Sequence, residues 1–178
     1  MKRNLLVILL LISEILIAQV YNFGKLNYQL TPSAKIENFE GMRKIVFDDT
    51  DENIVILIKI PNQSLPNLYN SQYNLETNKE NILSTINEMA QKTLIAKDND
   101  LITTTLLSHP KFINTGKINL VAYIILNKLK SNGTEIREFY LVIPNINESY
   151  LIINTSYKHN ADFANLFQKM LDSLSLEK

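Results

Sequence analysis

INLVAYIILNKLKSNGTEIREFYLVIPNINESYLIINTSY, residues 118–157, is the stretch whose reading decides the fold. Two runs rich in Val, Ile, Leu and Tyr flank Asn132-Gly133, and a third run opens at Tyr150. Asn-Gly is the strongest short hairpin signal, because a tight primed turn needs positive φ at both central residues. A two-residue loop there sets Ser131 opposite Thr134. It also sets Leu126 opposite Phe139, Ile124 opposite Leu141, Ala122 opposite Ile143, and Lys128 opposite Arg137. Side chains alternate along a strand, so those residues share one face. Tyr123, Ile125, Tyr140 and Val142 fall on the other, giving way to Asn127 and Glu138 toward the tip. The base of the ribbon is therefore apolar on both faces and must be buried on both.

Working outward, residues 101–107 form a Thr/Leu/Ile-rich strand, broken at Ser108-His109-Pro110 and resumed after a kink at 111–114. Upstream, Thr77 and Glu80 have the spacing of a capping box. Ile82, Leu83, Ile86, Met89, Ala90 and Leu94 follow at helical spacing and form one apolar stripe. Downstream, Phe163, Leu166, Phe167, Met170, Leu171 and Leu174 form a second stripe, behind Asn160 or Asp162 as cap. Before the first helix, residues 26–31, 43–48 and 54–60 read as strands, the last apolar on both faces except Lys59. Residues 35–41 read as a polar turn. The fold class expected is α+β: an antiparallel sheet of about six to seven strands covered by two main helices. The chain order is three strands, a helix, four strands and a helix.

The N-terminus carries Lys2 and Arg3, an unbroken apolar run from Leu5 to Ile12, and Ala18 before Gln19. Those are the parts of a secretory signal, with cleavage expected after Ala18 or one residue later. The apolar stretch is shorter than the ~20 residues that span a bilayer, and Glu14 interrupts it. An uncleaved membrane anchor is the alternative. The division expected is an export signal over residues 1–19 and a single domain over 20–178, in the periplasm or outside the cell.

Composition narrows the function. The 178 residues carry 18 basic and 18 acidic side chains, which gives no electrostatic footprint for nucleic acid. There is no cysteine, so disulfides, thiolate metal sites and a cysteine nucleophile are excluded. Asp49, Asp51 and Asn53 have the spacing that opens a calcium loop, but Ile54 and Ile60 stand where that loop needs Gly and Glu. The acidic turn from Asp48 to Glu52 therefore reads as solvated. His109 beside Ser108 suggests half of a nucleophilic pair, yet neighbours in a strand point to opposite faces, and no Gly-x-Ser-x-Gly elbow exists. No catalytic, metal or cofactor site is expected. The long polar connection from Asn62 to Glu76 carries Tyr69 and Tyr73, the candidate contacts for a protein or small-ligand partner.

The layout resembles the PsbP-like α/β sandwich. That family includes photosystem II extrinsic subunits, a Ran-binding import factor and bacterial exported proteins of unknown role. Residues 28–33 (YQLTPS) look like the family's opening strand with its Pro-Ser. Residues 54–60 occupy its third strand, residues 119–153 its long hairpin and following strand, and Phe163 with Leu171-Asp172-Ser173-Leu174 its closing helix. The resemblance implies an accessory or binding protein without catalysis. An exported hydrolase with an unrecognised site, His109 being one candidate participant, or a membrane-tethered envelope component, is the alternative.

Overall fold

The computed structural model describes residues 19–47, 53–61, 79–145, 148–156 and 161–177. Among them are ten strands and two helices. Five strands precede the first helix: β1 (Gln19–Phe23), β2 (Leu26–Leu30), β3 (Lys35–Phe39), β4 (Met42–Val46) and β5 (Asn53–Ile60). Then come α1 (Lys79–Lys97), β6 (Ile102–Asn114), β7 (Asn119–Leu129), β8 (Glu135–Ile143), β9 (Ser149–Ser156), α2 (Ala161–Ser173) and β10 (Ser175–Leu176). A seven-stranded antiparallel sheet runs β3-β4-β5-β9-β8-β7-β6, and a small sheet runs β1-β2-β10. The α+β class stands, with two strands more before α1 than the sequence pattern indicates.

The large sheet is buried on both sides because its middle strands are apolar on both. One face carries Ile45, Val55, Leu57, Leu120, Leu141, Ile143 and Ile152. It is roofed by Phe163, Met170 and Leu174 at α2, and by Leu26, Tyr28 and Leu30 of β2. The other carries Val121, Tyr123, Ile125, Tyr140 and Val142 against Ile82, Ile86 and Ala90 of α1. Both helical stripes are therefore core, as their spacing requires.

The hairpin keeps its faces and changes its register. Ile124 faces Phe139 rather than Leu141, Ala122 faces Leu141, and Lys128 faces Glu135 rather than Arg137. The loop is longer than Asn132-Gly133. Gly133 N donates to Leu129 O at 2.8 Å, Leu129 N donates to Thr134 O at 2.9 Å, and Gly133 sits at φ 71°. The chain thus needs one left-handed glycine instead of two primed positions. Three contacts favour this pairing. It replaces two facing cations with opposite charges, Lys128 across from Glu135. It stacks Tyr123 on Tyr140, with ring centroids 4.8 Å apart and planes at 10°. It also lets the tip dock, as Lys130 N donates to Leu101 O at 2.9 Å and Lys130 Nζ to Asn99 O at 2.8 Å. The slip is by an even number of residues, so no side chain changes face.

Strand β6 is continuous through the expected break. Register shifts between Leu106 and Ser108 and between Ser108 and Lys111 absorb Pro110 on this edge strand. Strand β3 occupies the expected turn at residues 35–41. It is the opposite edge of the sheet, with only Ile36 half-buried, so it lacks the alternation that marks a strand in sequence.

Candidate functional site

The large sheet carries a polar cluster on each side. Beneath α1 the cluster centres on Glu138, which is 8% exposed. Lys97, in the last turn of α1, places Nζ 2.8 Å from each carboxylate oxygen. The Tyr140 hydroxyl donates to Glu138 Oε2 at 2.9 Å. Burial and the neighbouring Glu138 charge both push the Tyr140 hydroxyl well above the ordinary phenol range. Burial pushes the Tyr123 hydroxyl up to about 12, with a hydrogen bond to Thr93 of α1 acting the other way. Nearby, Thr104 Oγ1 donates to Asn127 Oδ1 at 3.0 Å, and both residues are buried. Every group named here is engaged within the chain. The cluster ties the C-terminal end of α1 to the hairpin, and a carboxylate held this way is a strut rather than a proton-transfer group facing substrate.

On the other side the cluster centres on Arg43 of β4. Arg43 lies opposite Asn38 on one neighbour and Leu57 on the other, so it rises from the face that β1 and β2 cover. Its Nε donates to Asn38 Oδ1 at 2.7 Å. Its Nη1 donates to Asn22 O at 2.6 Å and to the Tyr28 hydroxyl at 2.7 Å. The guanidinium lies 5.3 Å from the centroid of the Phe23 ring, and Lys59 Nζ lies 5.4 Å from the same ring. Tyr28 is fully buried, and that burial raises its hydroxyl's pKa although Arg43 pulls the other way.

The β1–β2 turn is seated close by. The Tyr150 hydroxyl accepts from Lys25 N at 2.7 Å, and Lys59 Nζ is 3.3 Å from Glu148 Oε1. Burial, with a contribution from Glu148, pushes the Tyr150 hydroxyl up to about 12. Gly24, at φ 62°, fits here because a Cβ would collide with Glu148 Oε1 and the Tyr150 hydroxyl. Beside this assembly a hollow of about 210 Å³ opens to solvent, lined by Val20, Tyr21, Asn22, Asn27 and Arg43. Lys59 has a carboxylate partner; Arg43 has none among the described residues.

The residues singled out from sequence fall elsewhere. Tyr69 and Tyr73 lie outside the described residues, as do Thr77 of the capping box and the acidic turn Asp48 to Glu52. Asn53 is buried at the start of β5, its carbonyl accepting from Phe47 N at 3.3 Å. His109 is exposed on β6, and the Ser108 hydroxyl donates to the His109 carbonyl at 3.4 Å rather than to the ring. Among the described residues no group of three or more His, Asp and Glu is placed to hold a metal, and no helix is long and apolar enough to cross a membrane. Arg43 carries no local sequence signal, because its partners come from three other strands.

Two layers of cover on a twisted antiparallel sheet define an α+β sandwich. More particularly, the fold is PsbP-like. The chain is similar to cyanobacterial PsbP (CyanoP) from Synechocystis sp. PCC 6803 with a TM-score of 0.54 and 12% identity, over 92% of this chain and 95% of that one. It is also similar to a protein of Bacteroides thetaiotaomicron VPI-5482, with a TM-score of 0.52 and 9% identity, over 86% of this chain. It spans just under half of that protein's length, 46%. No family model matches the chain, and no curated protein matches it.

Proposed function

We propose that this protein is an exported accessory or binding domain without catalytic activity. The observation that carries the reading is the PsbP-like fold, shared over 92% of this chain with cyanobacterial PsbP. The signal-like run of Lys2, Arg3 and the apolar stretch Leu5 to Ile12 supports export. The enclosure of Glu138 by Lys97 and Tyr140 supports the non-catalytic part. Tyr69 and Tyr73 are the partner contacts proposed from the long connection.

The test is made on protein recovered from its native envelope. Intact-mass measurement is expected to find an N-terminus at Gln19 or Val20, and a retained Met1 overturns export. Co-purification is expected to bring down a companion in stoichiometric amount. A hydrolytic activity lost in His109→Ala overturns the non-catalytic part. Alanine at both Tyr69 and Tyr73 is expected to weaken that capture while leaving the melting temperature in place.

A further inference from the structure

We propose that the hollow beside Arg43 binds one oxyanion group, a carboxylate or a phosphate, presented by the ligand of this binding domain. The proposal rests on the binding reading above and names the chemistry that the ligand carries.

The argument begins with a count of donors. A guanidinium has five N–H groups and always carries its charge. Asn38 takes the Nε proton, and Asn22 O with the Tyr28 hydroxyl takes those of Nη1. The two on Nη2 have no acceptor among the described residues. All three acceptors are neutral, so they fix the plane of the group without cancelling its charge. Arg43 is half-buried and stands over Phe23, where the field of an uncancelled charge is screened less than in open water.

The neighbours of the hollow add to this. Asn22 and Asn27 pair across β1 and β2, and both line the opening, so amide donors stand beside the guanidinium. Among the described residues, the acid that touches a lining side chain is Glu177, whose Oε1 accepts from Asn27 Nδ2 at a long 3.5 Å. That carboxylate is exposed, just beyond β10, and it already rests where an incoming anion would take the Asn27 amide. The other nearby acid, Glu148, is engaged by Lys59. The site therefore combines a fixed cation, two amides and a weakly held carboxylate from the chain itself.

The experiment is a titration of purified, isotope-labelled protein with inorganic phosphate and separately with acetate. It follows the Arg43 guanidinium and Asn27 amide signals by nuclear magnetic resonance. Saturable shifts at both signals are expected with at least one of the two anions, and the tighter one identifies the source as phosphoryl or carboxyl. Asn27→Asp leaves the three Arg43 bonds in place and sets a charge in the hollow, so it should weaken binding about tenfold or more. Glu177→Gln should tighten it. Arg43→Lys should abolish it, with a melting curve to show that the variant is folded. Shifts that never saturate, or that Asn27→Asp leaves unchanged, overturn the site. Failure here leaves an exported protein that still captures a companion, so loss of the site and loss of the binding reading are told apart.

Discussion

Lys97 and Arg43 are both half-buried cations, and they stand on opposite sides of one sheet. Each ties a separate element to that sheet: Lys97 the end of α1, Arg43 the β1–β2 hairpin. Lys97 does so through a carboxylate that it contacts with both oxygens, and the Tyr140 hydroxyl completes that carboxylate's shell. Arg43 does so through a backbone carbonyl, an amide oxygen and a phenol. The first arrangement consumes its charge in holding the fold together. The second holds the fold while keeping its charge, and a charge kept beside an open hollow is available to a ligand. A structural role and a binding role are thus compatible in Arg43 and opposed in Lys97.

The largest effect is expected where a tie is made without charge neutralisation. Arg43→Met removes three hydrogen bonds from a charged donor and leaves the fully buried Tyr28 hydroxyl without the partner it has now. The loss of unfolding free energy should be about 3 kcal/mol, measured by urea denaturation. A loss below about 1 kcal/mol would mean that the small sheet is held mainly by apolar contact, and the comparison would lose one of its terms.

The next effect tests the other tie. Lys97→Met leaves Glu138 with the Tyr140 hydroxyl as its one described partner. Breaking a fully buried pair costs about 3–5 kcal/mol. The Lys97 side chain is 36% exposed, so water can partly replace it, and about 2 kcal/mol is expected here. Adding Glu138→Gln to Lys97→Met should recover at least half of that loss, because an amide is cheaper to bury than an orphaned carboxylate. A double variant as unstable as the single one would show that Lys97 acts through the packing of its stem, not through its charge.

The two ties also differ in how far the sequence announces them. Asn127 and Glu138 are visible as the point where an apolar strand face turns polar, so alternation places that cluster on the correct face. Its partner Lys97 is not visible, because nothing local says where a helix end lands on a sheet. Arg43 is less visible still. It sits in a strand whose outer neighbour, β3, is an edge with little apolar content, and it bonds to β1, a strand that the sequence pattern does not indicate. The two helices and the middle strands are legible for the opposite reason: their burial is periodic, and period is a property of sequence alone. The same contrast explains why the class of fold follows from the pattern while the hollow at Arg43 requires coordinates.

The smallest effect concerns the hairpin that carries Glu138 and Tyr140. Alternation fixed its faces and could not fix its register, since a slip by an even number of residues preserves every face. What separates the two registers is a few cross-strand pairs, each worth about 0.2–1 kcal/mol. In the observed one Lys128 meets Glu135 and Tyr123 stacks on Tyr140; in the tighter turn Lys128 would meet Arg137. Lys128→Glu should therefore destabilise the protein by about 0.5 kcal/mol, and Lys128→Glu with Glu135→Lys should restore it. The tighter register gives the opposite sign for the first change, because the introduced carboxylate would then face Arg137. Stabilisation by Lys128→Glu alone would refute the observed pairing. It would also move Glu138 relative to Ile125 and Lys97, and with them the tie on that side of the sheet.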